Sequence, residues 1–347
     1  MNPTKYINEE NNMKTKLNLR TVTATLSALV LFPIAGTASA ISLNIGHTLA
    51  PESHYQVMAE KLAELIEEKS NGDISINTFP QSQLGGEVRM IQGVRTGTLD
   101  MLITAQAPLT GTIEEFSFFD IPYLFSSVEH ANDSLAGELG DHFLDMLPEK
   151  NMIGLGWLSA MERNLFTSSA VNSASDVEGM KLRVMQSPGY VEAYEALDAM
   201  PTPMAYSDLY IALQQGVVDG GDTSPDQFVM DKFYEVSDFY SLTKVHYLPA
   251  LLIMSKSRWD SLSEEQRGWL QESANEALAY GIDYYQQSYD DSIAQMKELG
   301  VTVVEPDIAT LREETEEARE QLIKQVPEGE RLYELIDKTA LSKNAKG

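Results

Sequence analysis

Apolar positions along the chain alternate between two periods. Ile41 to Gly46 and Ile74 to Phe79 carry the period-two pattern of strands, and Met101 to Thr104 is a short apolar run. Between them, Ser53 to Ser70 places Tyr55, Met58, Leu62, Leu65 and Ile66 on one helical face. Asn71-Gly72 marks a turn, and Glu87 to Thr96 reads as a short helix closed by Gly97. This βαβαβ order predicts a mostly parallel sheet with helices on both faces. The pattern then recurs. Met152 to Leu158 and Lys181 to Val184 read as strands. Pro188 to Leu197 and Ser207 to Gln215 read as helices, the latter with Ser207 as N-cap. Tyr247 to Met254 is an apolar run that predicts one buried strand. No repeat of fixed period and no low-complexity linker divides the chain, so two lobes would be joined by several strand crossings.

From Ser263 to Leu299 the pattern is helical without a proline. Ser263 and Gln266 form a capping-box pair, and Gly300 is the stop signal. Leu270, Ala274, Leu278, Ile282, Tyr285, Tyr289, Ile293 and Met296 recur at steps of three and four. An unbroken helix of this length spans about 54 Å at 1.5 Å per residue, enough to run under two lobes; Gly281 is the one place where it would divide.

Length and charge narrow the picture. Residues 14–40 read as a secretory signal: Lys14, Lys16 and Arg20, then an apolar stretch from Val22 to Ile34, then Ala38-Ser39-Ala40 as a cleavage site. The mature chain would begin at Ile41, in the periplasm, with about 307 residues, a size that suits two lobes. Residues 1–12 are acidic and polar, unlike the head of a signal, so Met1 and Met13 both stand as starts. The first forty residues hold four Lys/Arg and two Asp/Glu, which leaves 21 basic and 50 acidic side chains and a net charge of −29. Such a surface repels nucleic acid and anionic lipid. There are no cysteines, which removes thiol catalysis, thiolate metal sites and iron–sulfur clusters. No H-E-x-x-H, G-x-S-x-G, G-x-G-x-x-G or P-loop pattern occurs, so neither catalysis nor a metal, nucleotide or other cofactor is signalled. His47 and His54 flank the loop after the first strand, where such residues either touch a ligand or, more often, are polar surface or capping groups.

The informative stretch is Gly179 to Gly220. Arg183 stands inside the apolar strand Leu182-Arg183-Val184. An Arg there faces solvent, closes an internal ion pair, or grips a carboxylate across a cleft with its planar fork, and the residues alone leave all three open. Pro201 and Pro203 pin an extended connection, and Tyr206 heads the next helix.

Lys181-Leu182-Arg183-Val184, Pro201-Thr202-Pro203-Met204, and Ala212-Leu213-Gln214 through Val217-Val218-Asp219-Gly220 resemble, in order and spacing, the signature of the solute-binding subunits of TRAP (tripartite ATP-independent periplasmic) transporters. So do Lys232-Phe233-Tyr234-Glu235-Val236, Leu242-Thr243, Trp259 to Ser263, Phe79-Pro80 with Ser82-Gln83-Leu84-Gly85, and Gly97-Thr98-Leu99-Asp100. The similarity runs from Ile41 to about Thr339; each motif is weak and the ordered set is specific.

The resemblance implies an α/β, two-lobed periplasmic binding protein (type II-like) with a long spine helix crossing both lobes. Lobe I would comprise 41–160 and 249–288, and lobe II 161–248 and 289–316, with 317–347 a C-terminal helical segment packing back on lobe I. It implies that Arg183 pairs with a ligand carboxylate and that Arg163 assists. Thr48, Glu87, Tyr206, Asp222 and Thr223 carry over as pocket positions. Thr223 departs from the family, which often has Asn there, and Ala105 stands where the sialic-acid-binding branch has an acidic residue. Two guanidiniums beside acceptor-rich Asp222 and Glu87 suit a polyhydroxylated monocarboxylate, a uronate or aldonate. A C4-dicarboxylate would bring a second charge against those acids. The partners implied are that small organic acid and the TRAP membrane subunits, with no ATP requirement and no membrane insertion after signal cleavage. A sensor serving a membrane receptor would share the same lobes.

Overall fold

The computed structural model describes residues 40–344, with side chains through residue 336, so residues 14–39 of the expected signal lie outside the described residues. Among the described residues eleven strands form two sheets. They are β1 (Ile41–Gly46), β2 (Ile74–Phe79), β3 (Met101–Ala105), β4 (Met152–Trp157), β5 (Met161–Thr167) and β6 (Lys181–Val184), then β7 (Met200–Pro203), β8 (Gly220–Thr223), β9 (Phe239–Leu248), β10 (Ala250–Ser255) and β11 (Thr302–Val304). The first sheet has the order β2-β1-β3-β10-β4 and the second β11-β9-β5-β8-β6-β7. Both belong to one compact unit.

The expected parallel βαβαβ start is present, with β1 parallel to β2 and to β3. The sheet as a whole is mixed, because β10 runs antiparallel to both β3 and β4. The reason is the route of the chain. It leaves the first sheet after β4, builds most of the second, and re-enters as β10 from the opposite direction. In the second sheet β5 is likewise antiparallel to β8 and β9, while β6, β7 and β8 are parallel.

Two readings of the pattern are corrected. The apolar run Tyr247 to Met254 is two strands, not one: β9 ends at Leu248, paired with Met161, and β10 begins at Ala250, paired with Ala105. Pro249 between them has no N–H for either ladder, and there the chain changes sheet. Second, the helix expected to start after Ser207 runs Tyr206–Gln214 with Ala205 at the N-cap position. Ser207 therefore lies inside the first turn, its hydroxyl turned to Asp208. Tyr206 is drawn into the helix by its ring contact with Phe233 and by its hydroxyl, which donates to Asp231. The prolines at 201 and 203 sit in β7, an edge strand, where a missing N–H does no harm.

The helix Glu264–Glu298 is continuous for 35 residues, about 52 Å, and opens on the expected Ser263–Gln266 capping box. It buries Leu270, Ala274, Leu278, Tyr285 and Met296. Gly281 does not break it. A Cβ at Gly281 would stand 2.7 Å from Leu158 Cδ1 and 2.9 Å from Met58 Cβ, so glycine lets the first helix (His54–Lys69) and the β4–β5 connection approach. One apolar cluster runs from Leu43 and Ile45 of β1 to Leu165, Leu182 and Val184 of the second sheet. Another joins Leu102 and Ile253 to Phe116, Phe143, Leu332 and Ile336; a third holds Phe166, Phe228 and Phe233. No helix among the described residues is long and apolar enough to cross a membrane.

Replacing Gly281 by valine sets about 0.3–0.5 kcal/mol of helix propensity against overpacking of about 1–3 kcal/mol. Urea unfolding of Gly281→Val should give a lower midpoint with an unchanged slope. A midpoint equal to or above the wild type would show that the close approach is not needed.

Candidate functional site

Leu182, Arg183 and Val184 are all buried in β6, between β8 and β7. A strand interior gives Arg183 no route to solvent, and the residue is 1% exposed. Its guanidinium is met by weak partners. Nε and Nη2 donate to the Met204 carbonyl at 3.2 and 3.0 Å, and Nη1 faces Met185 Sδ at 3.4 Å. Its carbon lies 5.7 Å from the centroid of the Tyr206 ring. Among the described residues no carboxylate forms an ion pair with it. Burial pushes Arg183 below the usual guanidinium value; Asp222 opposes this shift, and Arg163 adds to it.

Arg163 of β5 is in the opposite situation. Its Nε donates to Asp222 Oδ2 at 3.0 Å, Nη2 donates to Oδ1 at 3.2 Å, and Nη2 also meets the Asp222 carbonyl. Antiparallel pairing of β5 with β8 sets this up, with Leu165 opposite Asp222. Burial alone would raise Asp222, but the Arg163 guanidinium outweighs it and holds the carboxyl below its ordinary value. Asp222 therefore neutralises Arg163 and is not an open acceptor.

Of the expected residues, Thr48, Glu87, Arg163 and Tyr206 line one small cavity of about 20 Å³, while Arg183, Asp222 and Thr223 stand behind its wall, joined to it through Met185, Arg163 and Gln227. Thr48, Tyr55, Glu87 and Ala105 line it from the side of the first sheet, and Met161, Arg163, Met185, Tyr206 and Gln227 from the side of the second. Glu87, at the start of its helix, accepts from the Ala105 N–H at 3.0 Å and the Thr104 hydroxyl at 3.1 Å. Burial raises its pKa despite these bonds and both arginines. Thr223 does not line the cavity; its hydroxyl donates to Gln227 Oε1 at 2.8 Å. Gln227, Met161 and Met185 were not expected. A signal for Gln227 was present: Pro225 opens a helix, and Gln227 is four residues beyond Thr223. Larger clefts lie elsewhere. The one lined by Thr110, Glu114, Gln186 and Glu192 contains no Lys or Arg, and the one lined by Leu84, Arg89 and Thr98 has a single, exposed Arg; a buried guanidinium, Arg163, distinguishes the small cavity from both.

His47 and His54 are not surface groups. Both are fully buried and neither lines the cavity. His47 Nε2 contacts Gln56 Oε1 at 2.8 Å, and burial lowers its pKa to about 4. His54 Nδ1 contacts Asp226 Oδ2 at 3.0 Å, which ties the first helix to the helix after β8. A second polar seam joins the sheets at Asp120, which accepts from Ser187 Oγ and from Gln106 Nε2 at 3.1 Å. Burial raises Asp120 to about 7. Among the described residues no group of three or more His, Asp or Glu is placed to hold a metal ion.

Residues 45–326 match the model of the family described as bacterial extracellular solute-binding protein, family 7. The chain is 31% identical over 326 residues to the 2,3-diketo-L-gulonate-binding periplasmic protein YiaO of Escherichia coli, covering 92% of this chain and 99% of that one. A crystal structure of a TRAP periplasmic solute-binding protein from Polaromonas, bound to D-erythronate, is 33% identical, with a TM-score of 0.83 over 85% of this chain and 98% of its own. The sugar-acid-binding protein DctPAm of Advenella mimigardefordensis, in complex with galactonate, is 28% identical, with a TM-score of 0.84 over 86% and 98%.

Removing one partner of a buried ion pair strands the other, at about 3–5 kcal/mol. Asp222→Ala should lower the unfolding free energy by that order in denaturant titration; a loss under about 1 kcal/mol would contradict the pairing. Asp120 acts in the opposite sense with pH. Its folded pKa is near 7 against an ordinary 3.8, so the unfolded chain releases this proton first and the wild type loses stability as pH rises between the two. The stability of Asp120→Asn relative to wild type should therefore climb from pH 4 to 7, by at most about 1.4 kcal/mol per unit. A flat difference across that window would rule out the raised carboxyl.

Proposed function

The chain belongs to family 7 of the bacterial extracellular solute-binding proteins, and we propose that it is the ligand-capturing subunit of a TRAP transporter, holding a sugar acid through Arg183. The observation that carries this reading is the buried guanidinium without a counter-ion. A cation removed from water is costly unless paired. Arg163 has its carboxylate and Arg183 does not. A ligand carboxylate supplies the missing charge, exchanging a thioether for two charge-assisted hydrogen bonds.

The rest of the cavity sets the ligand class. At about 20 Å³ it has room for little more than a water in this state, so a sugar acid enters it only when the walls part. Glu87 and Thr48 accept hydrogen bonds from ligand hydroxyls, and Tyr206 and Tyr55 offer ring faces to the carbon skeleton. A second ligand carboxylate would meet Glu87, a like charge, so hydroxylated monocarboxylates are preferred over C4-dicarboxylates. The erythronate and galactonate found in related structures are acids of this kind. Family membership speaks for capture, not turnover.

Capture proceeds by closure of two lobes, 41–160 with 249–288 and 161–248 with 289–316, while 317–336, the part of the C-terminal segment 317–347 with described side chains, packs on the first. The cavity wall is drawn from both sheets, so a ligand touching both stabilises the closed state selectively. The mature protein starts after Ala40 in the periplasm, at the first residue of β1, and hands its ligand to TRAP membrane subunits with no ATP requirement of its own.

Calorimetry with D-galactonate, D-erythronate and D-glucuronate should show Arg183→Ala binding at least tenfold more weakly than wild type, since breaking a buried charged pair costs roughly 2–5 kcal/mol. In a thermal-shift panel the sugar acids should raise the melting temperature more than succinate does. Unchanged affinity in Arg183→Ala would sink the assignment of the anion site; a shift with succinate alone would move the ligand to the dicarboxylates.

A further inference from the structure

Gln227 is the polar group of the cavity wall to which the preceding section gives no role. It lies in the helix Pro225–Met230, is 2% exposed, and lines the cavity together with Arg163 and Tyr206. The two ends of its amide have different surroundings. Oε1 receives the Thr223 hydroxyl at 2.8 Å, while Nε2 stands 3.0 Å from Met161 Sδ. Rotating the amide by half a turn would set a carbonyl oxygen against the thioether, acceptor against acceptor. The observed orientation is the one that gives every group a complementary partner.

An amide nitrogen carries two hydrogens, and a thioether is a weak acceptor for one of them. Among the described residues no oxygen accepts the second. A donor left unpaired inside a protein costs stability unless something occupies it, and here the adjoining space is the cavity. We infer that Gln227 contacts the ligand and donates an N–H to one of its oxygens, and that Thr223 is a positioning residue that holds the nitrogen end of the amide toward the ligand. This rests on the reading of the cavity as a sugar-acid site.

The chemistry selected is specific. A hydroxyl or carboxylate oxygen accepts that N–H; a methylene or methyl group at the same place leaves it unpaired, so the site discriminates hydroxylated acids from their deoxy analogues. Thr223 acts through its hydroxyl alone. Valine has nearly the same shape but frees the amide to turn, whereas serine keeps the donor.

Calorimetric titrations of wild type, Gln227→Met, Thr223→Val, Thr223→Ser and Arg183→Ala with D-galactonate, D-erythronate and D-glucuronate separate the possibilities, with melting curves of each ligand-free variant to confirm folding. For the probe that wild type binds most tightly, Gln227→Met should weaken affinity about tenfold and Thr223→Val roughly fivefold, with Thr223→Ser near wild type. Wild-type affinity in both Gln227→Met and Thr223→Val, alongside lost binding in Arg183→Ala, overturns the role of Gln227 and leaves the anion site standing. No binding of any probe to wild type, or wild-type binding by Arg183→Ala, overturns the sugar-acid reading and this inference with it. Should Gln227→Met fail to fold, a crystal structure of the wild type with its tightest probe decides. Nε2 within about 3.2 Å of a ligand oxygen supports the contact, and a separation beyond about 4 Å overturns it.

Discussion

A guanidinium taken out of water with no carboxylate to meet it is the constraint to which the rest of this structure answers. Arg183 and Arg163 are the same side chain on strands of one sheet, both almost wholly buried, yet they stand in opposite electrostatic states. Arg163 is forked onto Asp222 and is neutralised. Arg183 has only a carbonyl, a thioether and a ring face. The pairing of the first is what makes the second meaningful. With Asp222 engaged by Arg163, the nearest acid does not close the gap at Arg183, and the local charge balance is left one anion short. Glu87 acts on Arg183 only through space, because its carboxyl is hydrogen-bonded to Thr104 and Ala105 instead.

The two sheets meet through groups of two kinds. One apolar cluster is shared between them. Beside it are polar links, His54 with Asp226, Asp120 with Ser187, and the Tyr285 and Tyr289 hydroxyls with the Glu162 backbone N–H and carboxylate. Water can replace each polar link when the sheets part, so each contributes modest net energy to closure, about 0.5–1.5 kcal/mol for a neutral pair and about 1.5–3 kcal/mol where a carboxylate is charged. A ligand bridging the cavity can then decide between open and closed with an ordinary binding energy. Spine-helix tyrosines reach Glu162, and Arg163 is the next residue. The long helix therefore braces the strand that carries the paired arginine.

Much of the fold was legible because its signals are local. The capping box at Ser263 and Gln266, the αL stop at Gly97 and the alternating runs of β1 and β2 need no tertiary knowledge. Gly281 misled as a possible break because its reason is a neighbour, Met58, 223 positions away in sequence. Pro249 was the missed signal: hydrophobicity runs through it, and only the absent N–H marks the change of sheet. In the site, Arg183 was visible as a charge in an apolar strand, but the direction of its side chain was not. The pairing of Arg163 with Asp222 was hidden because it depends on the register of β5 against β8. Thr223 was placed near the ligand when its hydroxyl serves Gln227 instead, since a sequence does not tell a wall residue from the one behind it.

The acidity of the chain looks at first like an argument against an anionic ligand, and the resolution lies in range. Fifty acidic side chains beyond residue 40 are mostly at the surface, where salt screens their field within about 8 Å at physiological ionic strength. In the proposed complex Arg183 meets the ligand at contact distance from inside the protein, where water does not screen it and the effective dielectric is lower. The surface charge therefore bears on how often an anion arrives and the buried charge on how long it stays. A negative surface lowers the encounter rate most at low ionic strength and least in salty media, while the stability of the proposed complex depends on a pair that salt barely reaches. Repulsion outside and attraction inside are thus compatible in one molecule, because they act on different steps of the same capture.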